Sequence, residues 1–155
     1  MPLFVGEFEQ AIDAKHRLAI PMALREQMDP DDDGSNFILV LGPDRHLWLY
    51  PDQWYKRLLA SLRRSPLPDR DSGKLDFLFA MARIVKPDKQ GRIVLPERSM
   101  KRARIDDRVT LVGGYDHIVI WPTGAWEQRV EQRLANYSDE FYEVADRLKE
   151  QMTDR

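Results

Sequence analysis

Two blocks of this chain occur twice, in the same order and at nearly the same spacing, and that duplication constrains the fold more than any other feature. Asp13-Ala14-Lys15-His16-Arg17-Leu18-Ala19-Ile20-Pro21 aligns with Asp88-Lys89-Gln90-Gly91-Arg92-Ile93-Val94-Leu95-Pro96 at an offset of 75 residues, both reading D-x-x-x-R, three apolar residues, proline. Gly42-Pro43-Asp44-Arg45-His46-Leu47-Trp48-Leu49-Tyr50-Pro51 aligns with Gly113-Gly114-Tyr115-Asp116-His117-Ile118-Val119-Ile120-Trp121-Pro122 at an offset of 71, and a tryptophan follows each, Trp54 and Trp126. A unit of that length is marginal as an independent domain, because too little of its surface can be buried. Two units that interleave their hairpins would share one core.

Each unit can be read from its punctuation. Leu18-Ala19-Ile20 and Ile93-Val94-Leu95 are short apolar runs after a turn-like cluster. The proline behind each suits the first position of a helix, so the pattern predicts strand, turn, strand, helix. Phe37 to Leu41 with Leu47 to Tyr50, and Val109 to Val112 with Ile118 to Trp121, are β-rich pairs joined by Gly-bearing turns, and each predicts a hairpin. The acidic stretch from Asp29 to Asn36 separates helix from hairpin in the first unit, and Arg104 to Asp107 does so in the second. Both are read as loops, the first longer and more mobile.

A helix is expected after each hairpin. Trp54, Leu58, Leu59 and Leu62 share one face after Asp52, and Trp126, Val130 and Leu134 do the same after Thr123, with Asp52 and Thr123 as caps. The Pro/Ser/Gly-rich connector from Ser65 to Gly73 places the division between units, residues 1–72 and 73–155, with a short helix over Lys74 to Ala82 leading into the second. Near the C-terminus, Phe141, Val144, Ala145, Leu148 and Met152 draw an apolar stripe on a helix begun at Ser138. That stripe is expected to bury against its own chain, with a subunit interface as the alternative.

Composition removes several classes of function. The longest apolar run, Phe77 to Ala82, has six residues, against the roughly 20 of a membrane-spanning helix. The first residues lack a basic stretch followed by a long apolar one, so no secretory signal is expected. Without cysteine there is no disulfide framework, thiolate metal site or cysteine nucleophile, and the expected location is cytoplasmic. The net charge of −2 does not announce a nucleic-acid binder. Locally the balance differs: from Arg83 to Arg108 there are nine basic residues against four acidic ones. In the first unit Lys15, His16, Arg17 and Arg25 cluster.

The two D-x-x-x-R blocks, with Gly-Glu-Phe before the first and Val112 to Pro122 followed by Trp126-Glu127 after the second, resemble the MraZ family. That family belongs to the AbrB/SpoVT group of swapped-hairpin transcription factors, and the resemblance runs from about Gly6 to Glu127. It implies an α+β, mainly β fold of two tandem swapped-hairpin (AbrB-like) β-barrel half-domains with flanking helices. It also implies a ring-like homo-oligomer that binds double-stranded DNA at promoter repeats of the bacterial division and cell-wall gene cluster, in the cytoplasm and associated with the nucleoid. No cofactor, metal, membrane or small-molecule substrate is implied.

In a tight loop, Asp13 or Asp88 can accept backbone N–H groups and hold the turn, while Arg17 or Arg92 opens the outgoing strand with a planar donor fork. Arginine is the commonest specific partner of guanine, and a two-stranded β-ribbon fits the major groove. The alternative is an ion pair that only braces each hairpin. The resemblance favours DNA contact through Lys15, His16, Arg17, Lys89 and Arg92, with Asp13, Asp88 and Gly91 shaping the turns. His16 departs from the family pattern, which has glycine there as Gly91 does in the second unit, so the first turn is expected to be shaped differently. Two rival readings are an enzyme using His46 and His117, which lie in no metal-ligand spacing and beside no nucleophile motif, and an AbrB-type antitoxin whose C-terminal helix blocks a partner toxin.

Overall fold

Among the described residues, eight short strands form on the β-branched and aromatic runs: β1 (Glu7–Ala11), β2 (Arg17–Ala19), β3 (Phe37–Leu41), β4 (Leu47–Pro51), β5 (Arg83–Val85), β6 (Arg92–Val94), β7 (Arg108–Gly113) and β8 (Ile118–Pro122). The computed structural model describes residues 1–62 and 67–154. Six strands make an antiparallel sheet in the order β1-β7-β8-β4-β3-β5, while β2 and β6 pair separately. The fold is α+β with two half-domains, and the halves exchange strands. β1 of the first repeat pairs with β7 of the second, and β5 of the second pairs with β3 of the first.

The register carries the signature of a two-fold axis inside one chain. In the β2–β6 ladder Arg17 faces Val94, Leu18 faces Ile93 and Ala19 faces Arg92. Because these positions are related by the 75-residue offset, the ladder maps onto itself about the Leu18–Ile93 pair. The β4–β8 ladder pairs Leu47 with Ile120, Trp48 with Val119 and Leu49 with Ile118, which is self-matching at the 71-residue offset about Trp48–Val119. Such self-complementary contacts are what an isologous dimer makes between two chains. Here both halves come from one chain.

One core serves both repeats. Leu18, Leu39, Leu49, Ile93, Leu111 and Ile118 are at most 1% exposed and belong to the same cluster. Alternation explains the choice: Leu47, Leu49 and Pro51 on β4 are buried, whereas Trp48 and Tyr50 between them lie on the opposite face and are half-buried.

The helices are α1 (Met22–Arg25), α2 (Asp52–Ala60), α3 (Ser72–Ala80), α4 (Glu97–Arg102), α5 (Thr123–Leu134) and α6 (Tyr137–Thr153). Pro21 and Pro96 occupy the residue before α1 and α4, one position earlier than expected. Asp52 is not a cap but the first residue of α2, and it is buried. The carbonyl of Asp33 takes over instead, accepting the backbone N–H groups of Gln53 and Trp54 at 3.0 and 3.2 Å. The acidic stretch before β3 is therefore built into the fold: Asp33 is 1% exposed and its carboxylate accepts the Asp29 N–H at 2.9 Å. Thr123 is likewise the first residue of its helix, and its Oγ1 accepts a hydrogen bond from the Thr110 hydroxyl at 3.2 Å. Of the connector expected at the division between repeats, Ser65 and Pro66 lie outside the described residues.

The chain forms two compact units, Met1–Thr123 and Gly124–Arg155. In the second, the Arg133 Nη1 donates to Glu140 Oε1 at 2.8 Å, tying α5 to α6. The stripe expected to bury against the chain is exposed: Phe141, Val144 and Leu148 are each 55–60% accessible and Met152 is 74%. Periodicity makes an apolar face but does not supply its cover.

Because Leu18 and Ile93 are each 0% exposed at the centre of the pseudo-two-fold ladder, Leu18→Ala should cost about 2–5 kcal/mol. Chemical denaturation followed by tryptophan fluorescence should show one transition for both repeats at a lower midpoint. Separate transitions for the two repeats would contradict the shared core.

Candidate nucleic-acid interface

The two D-x-x-x-R segments form nearly superimposable turns. Asp13 Oδ1 accepts the backbone N–H groups of Lys15 and Arg17, both at 2.9 Å, and Asp88 Oδ1 accepts those of Gln90 and Arg92 at the same distance. The second carboxylate oxygen of each aspartate accepts from the arginine Nε, at 2.6 Å from Arg17 and 2.8 Å from Arg92. The backbone closes both loops in the same way, His16 N–H to the Asp13 carbonyl and Gly91 N–H to the Asp88 carbonyl, each at 2.9 Å. A one-residue shift of either aspartate would remove all three side-chain contacts.

His16 does not reshape the first turn. Its φ of 61° matches the 76° of Gly91, so both loops place their fourth residue in the left-handed region. Histidine enters that region at a modest cost, which the shared hydrogen bonds of the loop offset.

The ladder then brings the two arginines together. Leu18 and Ile93 point into the core, so Arg17, Ala19, Arg92 and Val94 share the outward face of the ribbon. The self-matching register makes Arg17 and Arg92 diagonal neighbours, about 7–8 Å apart at the backbone. The aspartate takes the arginine Nε, so the Nη amino groups of each guanidinium stay outside that bond. Brace and donor fork thus coexist in one side chain. Lys15 and Lys89 are exposed at the tips of the two loops, one beyond each end of the ladder.

The basic run from Arg83 to Arg108 is less unified than its charge count implies. Arg83 lies on β5 at one edge of the six-stranded sheet, while Arg108 lies on β7 with three strands between them and pairs with Glu9 at 3.2 Å. Lys101 pairs with Glu97 of its own helix at 3.5 Å. Only Lys89 and Arg92 of that run belong to the ribbon and its loops.

His46 and His117 lie on the outer face of the β4–β8 ladder, each against an aromatic ring. His46 is 3.9 Å from Trp121 and His117 stacks on Trp48 at 3.8 Å, ring centre to ring centre. Asp116 lies 2.9 Å from His117 Nδ1 and accepts the Trp54 Nε1–H at 3.1 Å. Burial, with Asp116 adding to it, pushes the Tyr50 phenol up to about 12. These contacts stitch the second hairpin to α2, and among the described residues no group of three His, Cys, Asp or Glu could hold a metal ion.

One basic residue outside the two loops packs against them. Arg25, on α1 of the first repeat, lies across the Gly91 turn of the second and donates Nε–H to the Ile20 carbonyl at 2.9 Å. Its place in the first unit's basic cluster was visible, but not the turn it covers.

The backbone N–H of Arg17, more than any other group, holds the Asp13 carboxyl below its ordinary value of 3.8, and Arg92 does the same for Asp88. A depressed folded-state value means stabilisation that is complete above the ordinary value and lost as pH falls from there through the lowered one. Thermal melts should therefore lose midpoint steeply below about pH 4, and the Asp13→Asn/Asp88→Asn double variant should be less stable at neutral pH with a shallower acid slope. An unchanged acid slope would remove these carboxylates as the source.

The family model described as "MraZ protein, putative antitoxin-like" matches the chain twice, over residues 3–77 and 78–148. The chain is 30% identical to the transcriptional regulator MraZ of Clostridium tetani over 149 residues, covering 96% of this chain and 98% of that one. It is 33% identical to the protein of that name from Pediococcus pentosaceus (88% and 93% covered) and 34% identical to the one from Lactiplantibacillus plantarum (88% and 94% covered). One family model fitting the chain twice in tandem and relatives aligned along nearly their whole length establish that this chain belongs to the MraZ family.

Proposed function

We propose that this protein is a sequence-specific, DNA-binding transcriptional regulator of the bacterial division and cell-wall gene cluster, and that the β2–β6 ribbon is its reading surface. The observation that carries this reading is the pair of aspartate-held arginines, Arg17 and Arg92, on one outward face of a two-stranded ribbon. A ribbon of this width enters the major groove, where an arginine fork meets guanine O6 and N7. Lys15, His16 and Lys89 flank it as phosphate contacts, while Asp13, Asp88 and Gly91 shape the loops. The repeat units, residues 1–72 and 73–155, each contribute one loop, so the reader is a half-site pair built into a single chain. The protein acts without cofactor chemistry, in the cytoplasm and at the nucleoid, and no helix among the described residues is long and apolar enough to cross a membrane.

A chain with a net charge of −2 gains DNA affinity by presenting several ribbons at once to repeated sites. We place it in a closed, ring-like homo-oligomer, supported by the exposed stripe of α6. Light scattering after size exclusion should give a mass several times the monomer's 18.2 kDa; a monomer at micromolar concentration would sink the ring. The same stripe favours one second reading, an antitoxin whose α6 covers a partner toxin, which a stoichiometric copurifying protein would support.

Selection of bound sequences from random duplex DNA tests the main reading directly. Replacing Arg17 or Arg92 by alanine should weaken the selected site by roughly 1–3 kcal/mol for each bidentate arginine–guanine pair removed, with lysine rescuing only in part. The thermal midpoint should change little, because Asp13 keeps its bonds to the backbone N–H groups of Lys15 and Arg17 when the side chain is removed. If Arg17→Ala melts the protein and binding falls only in proportion, the arginine is a brace and nothing more.

A further inference from the structure

His16 and Gly91 share one backbone conformation, so the difference between the two loops at this position is the imidazole itself. His16 is half-buried, and it lines a cleft of about 740 Å³ that the first loop shares with α4 and the segment before β7. The charged groups around that cleft come from all three: Asp13 from the loop, Glu97 and Lys101 from α4, and Asp106 and Asp107 from the segment.

Two of these four carboxylates are already matched by cations. Asp13 accepts the Arg17 Nε–H at 2.6 Å, and Glu97 lies 3.5 Å from Lys101 Nζ. Among the described residues Asp106 and Asp107 make no ion pair, and the His16 ring makes neither an ion pair nor a hydrogen bond. The only other charged side chains on the loop are Lys15 and Arg17, which follow and precede His16 by one residue on either side. Two uncompensated negative charges therefore stand beside a loop proposed to meet a polyanion. A neutral imidazole leaves that repulsion in place, whereas an imidazolium offsets part of it and adds a donor for a phosphate oxygen.

The second loop has no such group. Asp88-Lys89-Gln90-Gly91-Arg92 holds no histidine, and at the 75-residue offset the counterparts of His16 and Glu97 are Gly91 and Met22. Histidine is the side chain whose charge ordinarily changes between about pH 5 and 8. The other two histidines, His46 and His117, lie against aromatic rings on the outer face of the β4–β8 ladder.

We infer that His16 makes DNA binding by the first loop proton-linked, so that the ribbon takes up a proton at His16 when it engages phosphate and holds DNA more tightly as pH falls through the neutral range. This rests on the proposed function of the ribbon. The sign follows from linkage: a polyanion beside the ring favours the charged imidazole, so protonation must favour the polyanion by the same factor. Only the first loop responds, because the second presents glycine at the same place.

The test measures affinity for a selected duplex at pH 8, 7 and 6, each over a range of salt, for the wild type, His16→Asn and His16→Gly. Asparagine tolerates the left-handed region and stays neutral, and glycine is the residue the second loop already holds there. Both variants keep His46 and His117, so the difference from wild type isolates His16. The wild type should gain roughly three- to tenfold in affinity from pH 8 to pH 6, a tenfold gain being one unit of differential protonation. Its slope of log K against log salt should steepen by up to about 0.9 for each engaged chain. In both variants the gain and the steepening should be lost while binding at pH 8 is kept. A wild-type affinity that does not change with pH, or a pH response that persists in both variants, overturns the inference and leaves the ribbon reading in place. A wild type that binds no DNA at any of the three pH values removes both.

Discussion

The pairing of Leu18 with Ile93 is the contact on which the rest of the structure depends. Both side chains are fully buried at the centre of a ladder only three residue pairs long. Two short loops leave that ladder at opposite ends, and its outward face carries both arginines. Burying Leu18 and Ile93 drives the ribbon onto the core, and the same alternation that turns them inward turns Arg17 and Arg92 outward. Core and candidate reading surface are thus two faces of one pair of strands.

Strand exchange gives that pairing its stability. A three-residue ladder by itself has little area to bury, but β1 and β5 each cross to the other repeat and pair with β7 and β3. Neither repeat can then leave without unpairing the other. A homodimer built in this way would be two-fold symmetric in sequence, with two identical loops. Joining the halves in one chain relaxes that constraint, and the repeats have diverged in sequence: His16 stands against Gly91, and Met100 stands at the position related to Arg25.

The loops show why local hydrogen bonding can tolerate such divergence. Each aspartate makes the same three side-chain bonds, and each fourth residue takes a positive φ, whether it is glycine or histidine. The geometry belongs to the aspartate and the backbone, so the side chain at the fourth position is left to other pressures. At Gly91 the neighbour is the Arg25 guanidinium, which a Cβ would displace.

Much of this was legible in the residues themselves. The duplication, the strand and helix segments, and the D-x-x-x-R turns all follow from local rules: apolar alternation, turn chemistry, and an aspartate placed to accept the amides that follow it. What the residues alone left open were long-range choices. Nothing local in β1 says that it pairs with β7 rather than with its own hairpin, because backbone donors and acceptors are the same in every strand and only the shared core selects the partner. Nothing local in Asp33 marks it as the cap of α2, since the helix it serves begins 19 residues later. The apolar stripe of α6 was visible from its spacing, yet its exposure was not. The reach of Arg25 across to Gly91 was invisible for the same reason: the strand exchange brings together residues 66 apart, a distance that only the packed fold determines.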